Sequence, residues 1–182
     1  MSSVLNKPYD LQISRAWPWP PDNGDDYVDE WLDSLDSPSL NILVGPRGCG
    51  KSQFIETSGL QVRGSQSGKI STVDPTAELN IINCDLFGSG MLSRSPLLRD
   101  VRRGIKRRES FIFDYTNLTR LERNKILGMF PDAYHKVVIA WELSDEELRL
   151  RGCSFEQIEE AKNNYERPSR DENIDELVYI FS

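Results

Sequence analysis

Histidine occurs once in these 182 residues, at His135, and cysteine three times, at Cys49, Cys84 and Cys153. One histidine leaves no second imidazole for a histidine-based metal site and makes a histidine-dependent triad a poor fit. Three cysteines without CxxC or metal-ligand spacing argue against a disulfide framework and for a reduced, cytoplasmic setting. Cys49 reads as a small residue that fits its surroundings rather than as a redox sensor. No apolar run is long enough to cross a bilayer, and the first residues lack the apolar core of a secretory leader, so no membrane partner is expected. The guanine-reading pattern N-K-x-D is missing, which disfavours a GTPase-type switch, and no internal repeat is visible.

Charge is plentiful but unevenly spread. The net value of −7 conceals two opposed blocks. Between Asp22 and Asp36 there are seven acids and no base. Between Arg94 and Arg108 stand Arg94, Arg99, Arg102, Arg103, Lys106, Arg107 and Arg108 against Asp100 alone. Such asymmetry points to a partner of opposite charge.

The most specific feature is Gly45-Pro46-Arg47-Gly48-Cys49-Gly50-Lys51-Ser52, which fits G-x-x-x-x-G-K-[ST]. Its glycines let successive backbone N–H groups turn inward around phosphate oxygens, where a Cβ would obstruct the turn. Lys51 supplies a mobile point charge for β- and γ-phosphates, and Ser52 a hydroxyl for Mg²⁺. Leu40 to Val44 reads as a buried strand leading in, and Gln53 to Glu56 continues as helix, whose dipole adds to the anion site. ATP and Mg²⁺ are the ligands this implies.

Residues 1–24, with Pro8, Trp17, Pro18, Trp19, Pro20 and Pro21, suit an extended, irregular arm. Val28, Trp31, Leu32 and Leu35 predict an acidic amphipathic helix over 25–36. Residues 61–78 read as a long polar connection. Further strands are predicted at 79–83, 110–113, 136–141 and 177–181, and helices at 94–108, from Thr119 (a capping box with Glu122) to about Met129, at 145–151, and from Ser154 to about Tyr165. The alternation predicts an α/β fold of the P-loop NTPase type: a five-stranded parallel sheet with helices on both faces over residues 40–182, preceded by an irregular N-terminal extension, residues 1–39.

In such a sheet, ligands collect at the carboxyl ends of the strands. Asp114, closing the third strand, is placed to organise Mg²⁺ or its water; a cap on the next turn is the alternative. Asp85, after the second strand, is placed to take the proton of an attacking hydroxyl; a helix N-cap is the alternative.

The run Asp114-Tyr115-Thr116-Asn117 with Arg120 and Arg123 resembles the D-x-T-N…R signature of polynucleotide-kinase-like P-loop kinases, which move the γ-phosphate of ATP to a hydroxyl on a nucleic acid or related small molecule. The resemblance covers roughly residues 40–182. It implies ATP contacts from Gly45 to Ser52, Asp85 as general base, Asp114 as the metal-site acid, and Thr116 and Asn117 in the substrate motif. It also implies a phosphate-contacting arginine at Arg123 or Arg120, and a lid with Arg149 and Arg151. Tyr165-Glu166-Arg167-Pro168 is similar to a late family segment. One departure is clear: Asp85 is followed by Leu86-Phe87-Gly88-Ser89-Gly90, without the arginine that relatives acting on 5′ ends often carry there.

The basic segment falls between the base and the third strand, where this architecture usually builds its acceptor site. Arg102, Arg103, Lys106, Arg107 and Arg108 are then expected to contact a DNA backbone; a solvated face, paired with the acidic segment, is the other reading. The leading expectation is an ATP-dependent kinase acting on a hydroxyl of DNA. The build is most similar to phage kinases that phosphorylate 5-hydroxymethyluracil within DNA. The alternatives are a 5′-hydroxyl polynucleotide kinase, a nucleoside or nucleotide kinase, and, from another class, a nucleotide-dependent regulator or binding module.

Overall fold

A computed structural model describes residues 11–14, 38–57, 71–72, 79–83 and 91–181. The chain forms strands β1 (Leu11–Ser14), β2 (Ser39–Val44), β3 (Ser71–Thr72), β4 (Leu79–Ile82), β5 (Ser110–Asp114), β6 (His135–Glu142) and β7 (Glu176–Phe181). Between them run helices α1 (Lys51–Thr57), α2 (Met91–Lys106), α3 (Arg120–Leu127), α4 (Asp145–Leu150) and α5 (Phe155–Asn164), with a 3-10 turn at Arg170–Glu172.

The strands join in one sheet of order β1-β7-β6-β2-β5-β4-β3. The five strands expected from the sequence pair in parallel throughout. Two short ones correct that expectation. Leu11–Ser14, placed in an irregular arm by its prolines, adds a parallel edge strand on β7. Ser71–Thr72, inside the polar connection, pairs antiparallel with β4. Neither is long enough to leave a periodic signature. The acidic helix expected at 25–36 lies outside the described residues.

The central strand shows why the sheet is closed on both faces. All six residues of β2 are buried. Leu40, Ile42 and Val44 point into one core with Leu97 and Val101 of α2 and Ile126 and Leu127 of α3. Leu43 points the other way, into a core with Phe54 and Ile55 of α1, Leu148 of α4 and Ile158 of α5. Strand period two thus sorts the helices into two layers. The polar Asn41 is tolerated because its amide donates to Ser39 Oγ at 3.1 Å and Phe111 O at 3.4 Å. The capping box of α3 is formed on both sides, with Thr119 Oγ1 accepting from the Glu122 N–H and Glu122 accepting from the Thr119 N–H.

Chain direction places the site. From β2 the chain moves toward β4, and from β6 toward β7, so the connections part at the carboxyl ends of β2 and β6. A crevice opens at such a reversal. Among the described residues no helix is long and apolar enough to cross a membrane.

Candidate functional site

The loop between β2 and α1 lies at that reversal. Gly48 and Gly50 have φ of +80° and +109°, backbone that a side-chain-bearing residue adopts only under strain. A Cβ on Gly50 would also stand 2.9 Å from a guanidinium nitrogen of Arg151. The loop is tied to the neighbouring strand by the Gly45 N–H, which donates to Thr116 O at 3.0 Å.

Lys51 is held inside this loop, only 6% exposed. Its ammonium donates to Gly45 O at 2.8 Å and Pro46 O at 2.7 Å. An ammonium has three donors and a flexible stem, so these carbonyls hold the charge in the hollow without fixing it permanently. Ser52, the next residue, donates its hydroxyl to Asp114 Oδ2 at 2.7 Å. Two groups 62 positions apart in the chain therefore meet at the mouth of the loop. A hydroxyl and a carboxylate are hard oxygen donors, which fit a small divalent cation that takes its remaining ligands from phosphates and water.

Arg151 closes the loop from the α4–α5 side. Its Nε donates to Glu147 Oε1 at 2.9 Å, and its Nη1 donates to Cys49 O. The i, i+4 spacing of Glu147 and Arg151 was a readable signal for this pair. Arg149, expected beside it, lies on the exposed side of α4. Two residues along a helix put side chains on nearly opposite faces, so only one of the two arginines can face the loop. Cys49 is fully buried under the loop, and burial pushes its thiol pKa up; Cys153 is raised for the same reason and donates to Arg47 O at 3.1 Å. Both are neutral packing groups.

Three of the expected ligand contacts are corrected. Asn117, in left-handed backbone at φ +46° and 3% exposed, spends its amide on Leu43 O (2.9 Å) and Phe113 O (3.2 Å). It braces the turn between β2 and β5 rather than facing a substrate. Arg123 is wholly buried: its guanidinium grips Glu172 at both carboxylate oxygens (2.8 Å each) and donates to Asn117 O and Leu118 O. No guanidinium surface is left for a phosphate. Arg120 pairs with Asp171 at 2.6 Å, on the same clasp between α3 and the 3-10 turn. The basic cluster is placed away from the loop. Helix α2 runs back from the carboxyl end of β4 to the amino end of β5, about 24 Å for its sixteen residues. Tyr134, just before β6, donates to Glu109 O at 2.9 Å, so the end of α2 sits at the amino edge of the sheet. Arg102, Arg103, Lys106, Arg107 and Arg108, all exposed, are therefore remote from the loop. Arg103 also pairs with Asp100, and Arg107 with Glu109. Asp85 lies outside the described residues.

Thr116 stays at the site, lining a polar cavity of about 270 Å³ with Pro46, Arg47, Tyr115, Gln157 and Glu160. A larger, more apolar cavity of about 560 Å³ adjoins it, walled by Trp141, Leu143, Leu148, Ile158 and Tyr165. Its rim is locked by Glu142 at the end of β6, which accepts from the Tyr165 hydroxyl at 2.5 Å and from Arg167 Nε at 2.8 Å. Arg167 also lies over the Tyr179 ring at 4.1 Å, a cation–π contact. Sequence reasoning missed these walls because apolar residues lining a cavity carry the same periodic pattern as those filling a core.

No protein-family model matches the chain, and no curated protein matches it.

Proposed function

We propose that this protein is an ATP-dependent kinase of the P-loop type that transfers the γ-phosphate to a hydroxyl carried by DNA, with the hydroxymethyl of 5-hydroxymethyluracil as the acceptor, in the cytoplasm of a phage-infected host. The observation that carries the reading is the 2.7 Å contact between Ser52 Oγ and Asp114 Oδ2 beside a buried, loop-held Lys51. A glycine-rich turn serving only as a connection has no reason to gather an ammonium, a hydroxyl and a carboxylate at one end.

The roles follow from the groups. Loop N–H groups cradle the phosphates, and Lys51 swings from the carbonyls of Gly45 and Pro46 to the β/γ-phosphates. Mg²⁺ bound at Ser52 and Asp114 would neutralise charge on those phosphates. Arg151, already over the loop, is the arginine placed to follow charge onto the leaving oxygen. The acceptor oxygen forms the new bond to phosphorus, the bond to the ADP oxygen breaks, and Asp85 is assigned the hydroxyl proton. The cavity of about 560 Å³ lies within the usual range of small-molecule sites, roughly 300–1,000 Å³, and suits the nucleobase and ribose of the donor.

DNA enters through α2. Arg99, Arg103 and Lys106 fall at i, i+4 and i+7, one exposed stripe along the helix from the site edge toward the amino edge. The stripe from Arg99 to Lys106 is about 10 Å long, which matches about three base pairs at roughly 3.4 Å each, so its charges can meet successive phosphates of one backbone. The test is transfer of labelled γ-phosphate from ATP to plain DNA, hydroxymethyluracil-containing DNA and free nucleosides in parallel. Acceptor-dependent ADP release with label in the modified DNA is expected. ATP hydrolysis without any labelled acceptor would overturn the reading in favour of a nucleotide-dependent switch.

A further inference from the structure

Two cations at the loop rest on its carbonyls, and they are held in different ways. Lys51 belongs to the loop and donates to Gly45 O and Pro46 O. Arg151 comes from outside, and its Nη1 donates to Cys49 O. A phosphate oxygen can replace a carbonyl in such a contact, because the new hydrogen bond is charged on both sides and stronger. The difference lies in what stays fixed once the carbonyl is released. Lys51 keeps its place in the loop backbone. Arg151 keeps Glu147, whose Oε1 accepts from Nε at 2.9 Å.

The support under this pair is stiff. Ser144 caps α4 by accepting the Glu147 N–H at 3.2 Å, and the Arg151 N–H returns to Glu147 O at 3.1 Å. The Cys153 N–H closes on Leu148 O at 2.9 Å, and Leu148 itself is buried in the core with Phe54 of α1. The two side chains are 5% and 12% exposed, for Arg151 and Glu147. At that burial a guanidinium stripped of its carboxylate would be costly, so the pair holds together. Its rigid fork of five N–H donors lets one nitrogen stay with Glu147 while another changes acceptor. Gly50 belongs to the same arrangement, since a Cβ there would stand 2.9 Å from Nη1.

We propose that Glu147 is the positioning residue of this site. It keeps Arg151 Nε while Nη1 leaves Cys49 O for a phosphate oxygen, so the guanidinium is aimed at the loop before any ligand arrives. The kinase reading assigns Arg151 a task but nothing that aims it; the inference rests on that reading only for its effect on rate. Nη1 exchanges one acceptor for another when nucleotide binds, so Glu147 adds little to ground-state affinity. Its effect falls on the step in which charge grows on the leaving oxygen.

The experiment uses the whole protein and the variants Glu147→Ala, Glu147→Gln, Arg151→Ala and the double Glu147→Ala/Arg151→Ala. Glu147→Gln keeps the shape and removes only the charge, so it serves if Glu147→Ala does not fold. Heteronuclear NMR follows the arginine Nε–H groups, with the Arg151 signal assigned by its loss in Arg151→Ala. That signal should be protected from exchange in the free protein, and should shift yet persist with saturating Mg·ATP or Mg·tripolyphosphate. In both Glu147 variants it should lose its protection. In transfer assays Arg151→Ala should lower kcat by about a hundredfold, and Glu147→Ala by roughly 10- to 100-fold. KM for ATP should stay within about threefold, and the double variant should be no slower than Arg151→Ala, because Glu147 acts through Arg151. Loss of the Arg151 signal on adding Mg·ATP would overturn the proposal, as would losses in kcat that multiply in the double variant. A signal that shifts and persists with Mg·ATP, and depends on Glu147, without transfer to any acceptor overturns the kinase reading and leaves the role of Glu147 standing.

Discussion

At the carboxyl end of the sheet cations are held one at a time, whereas along the outer face of α2 they are strung in water. Lys51 donates to two named carbonyls, Arg151 is 5% exposed against Glu147, and Arg123 has no exposed side-chain surface at all. On α2 and the turn after it, Arg99, Arg102, Lys106, Arg107 and Arg108 are exposed, and Arg103 keeps more than half of its side chain in solvent even while paired with Asp100. Charge in the first setting has geometry and acts at one point. Charge in the second is screened over about 8 Å at physiological salt and acts as a field. The first kind of charge acts on one partner in one orientation, the second on opposite charge in many.

The largest expected effect breaks the buried side of this contrast. Replacing Arg123 with methionine strands Glu172 without its partner, and loss of one member of a buried pair costs about 3–5 kcal/mol. Urea unfolding should show that loss, and the double replacement Arg123→Met/Glu172→Met should regain much of it. A loss below about 1 kcal/mol would mean the clasp between α3 and the 3-10 turn is dispensable. Next comes Lys51→Ala. Removing a preorganised charge at the reacting phosphates should lower turnover by about a hundredfold or more, while circular dichroism reports an intact fold. Near-wild-type turnover would remove the loop from the chemistry.

The solvated side is tested by neutralising Arg99, Arg103 and Lys106 together. If the stripe carries DNA, affinity should fall for every sequence, and the slope of log affinity against log salt should flatten by about 0.9 for each lost phosphate contact, with ATP affinity unaffected. An unchanged slope would reduce α2 to a solvated face. The smallest effect concerns Asp171, exposed beside Ser169 and Arg120. A hydrogen bond from Ser169, and then one from Arg120, hold its pKa below the ordinary carboxylate range. A depressed pKa contributes stability above the unfolded value, about 3.9, and loses it as pH falls through the folded one. Thermal midpoints of the wild type and Asp171→Asn should therefore differ slightly at pH 6, and the difference should begin to shrink near pH about 4 and vanish only as pH falls through the lower folded value. A difference that persists at the acid end would point to a cause other than this charge.

The clearest local signals survived folding because they depend on neighbours in sequence. Thr119-x-x-Glu122 caps α3 as its spacing requires, and the glycines at 48 and 50 mark the backbone that only glycine adopts readily. Arg123 and Asn117 misled for the opposite reason. A motif says which residue types stand together but not which way each one turns, and here the two brace the turn on which the motif is built. The basic helix misled through direction: its position between two strands was legible, but an α2 running antiparallel to β5 carries its last turn to the far edge.

By itself, then, the sequence determined the alternation of strands and helices, the glycine-rich loop and the caps, because period, steric restriction and hydrogen bonds over three or four residues are local physics. The tertiary structure alone decided that Ser52 meets Asp114, that Arg151 and not Arg149 reaches the loop, that Leu11–Ser14 closes one edge of the sheet, and that two cavities lie on either side of Pro46. Each of these joins parts of the chain that become neighbours only through the order and direction of strands in the sheet.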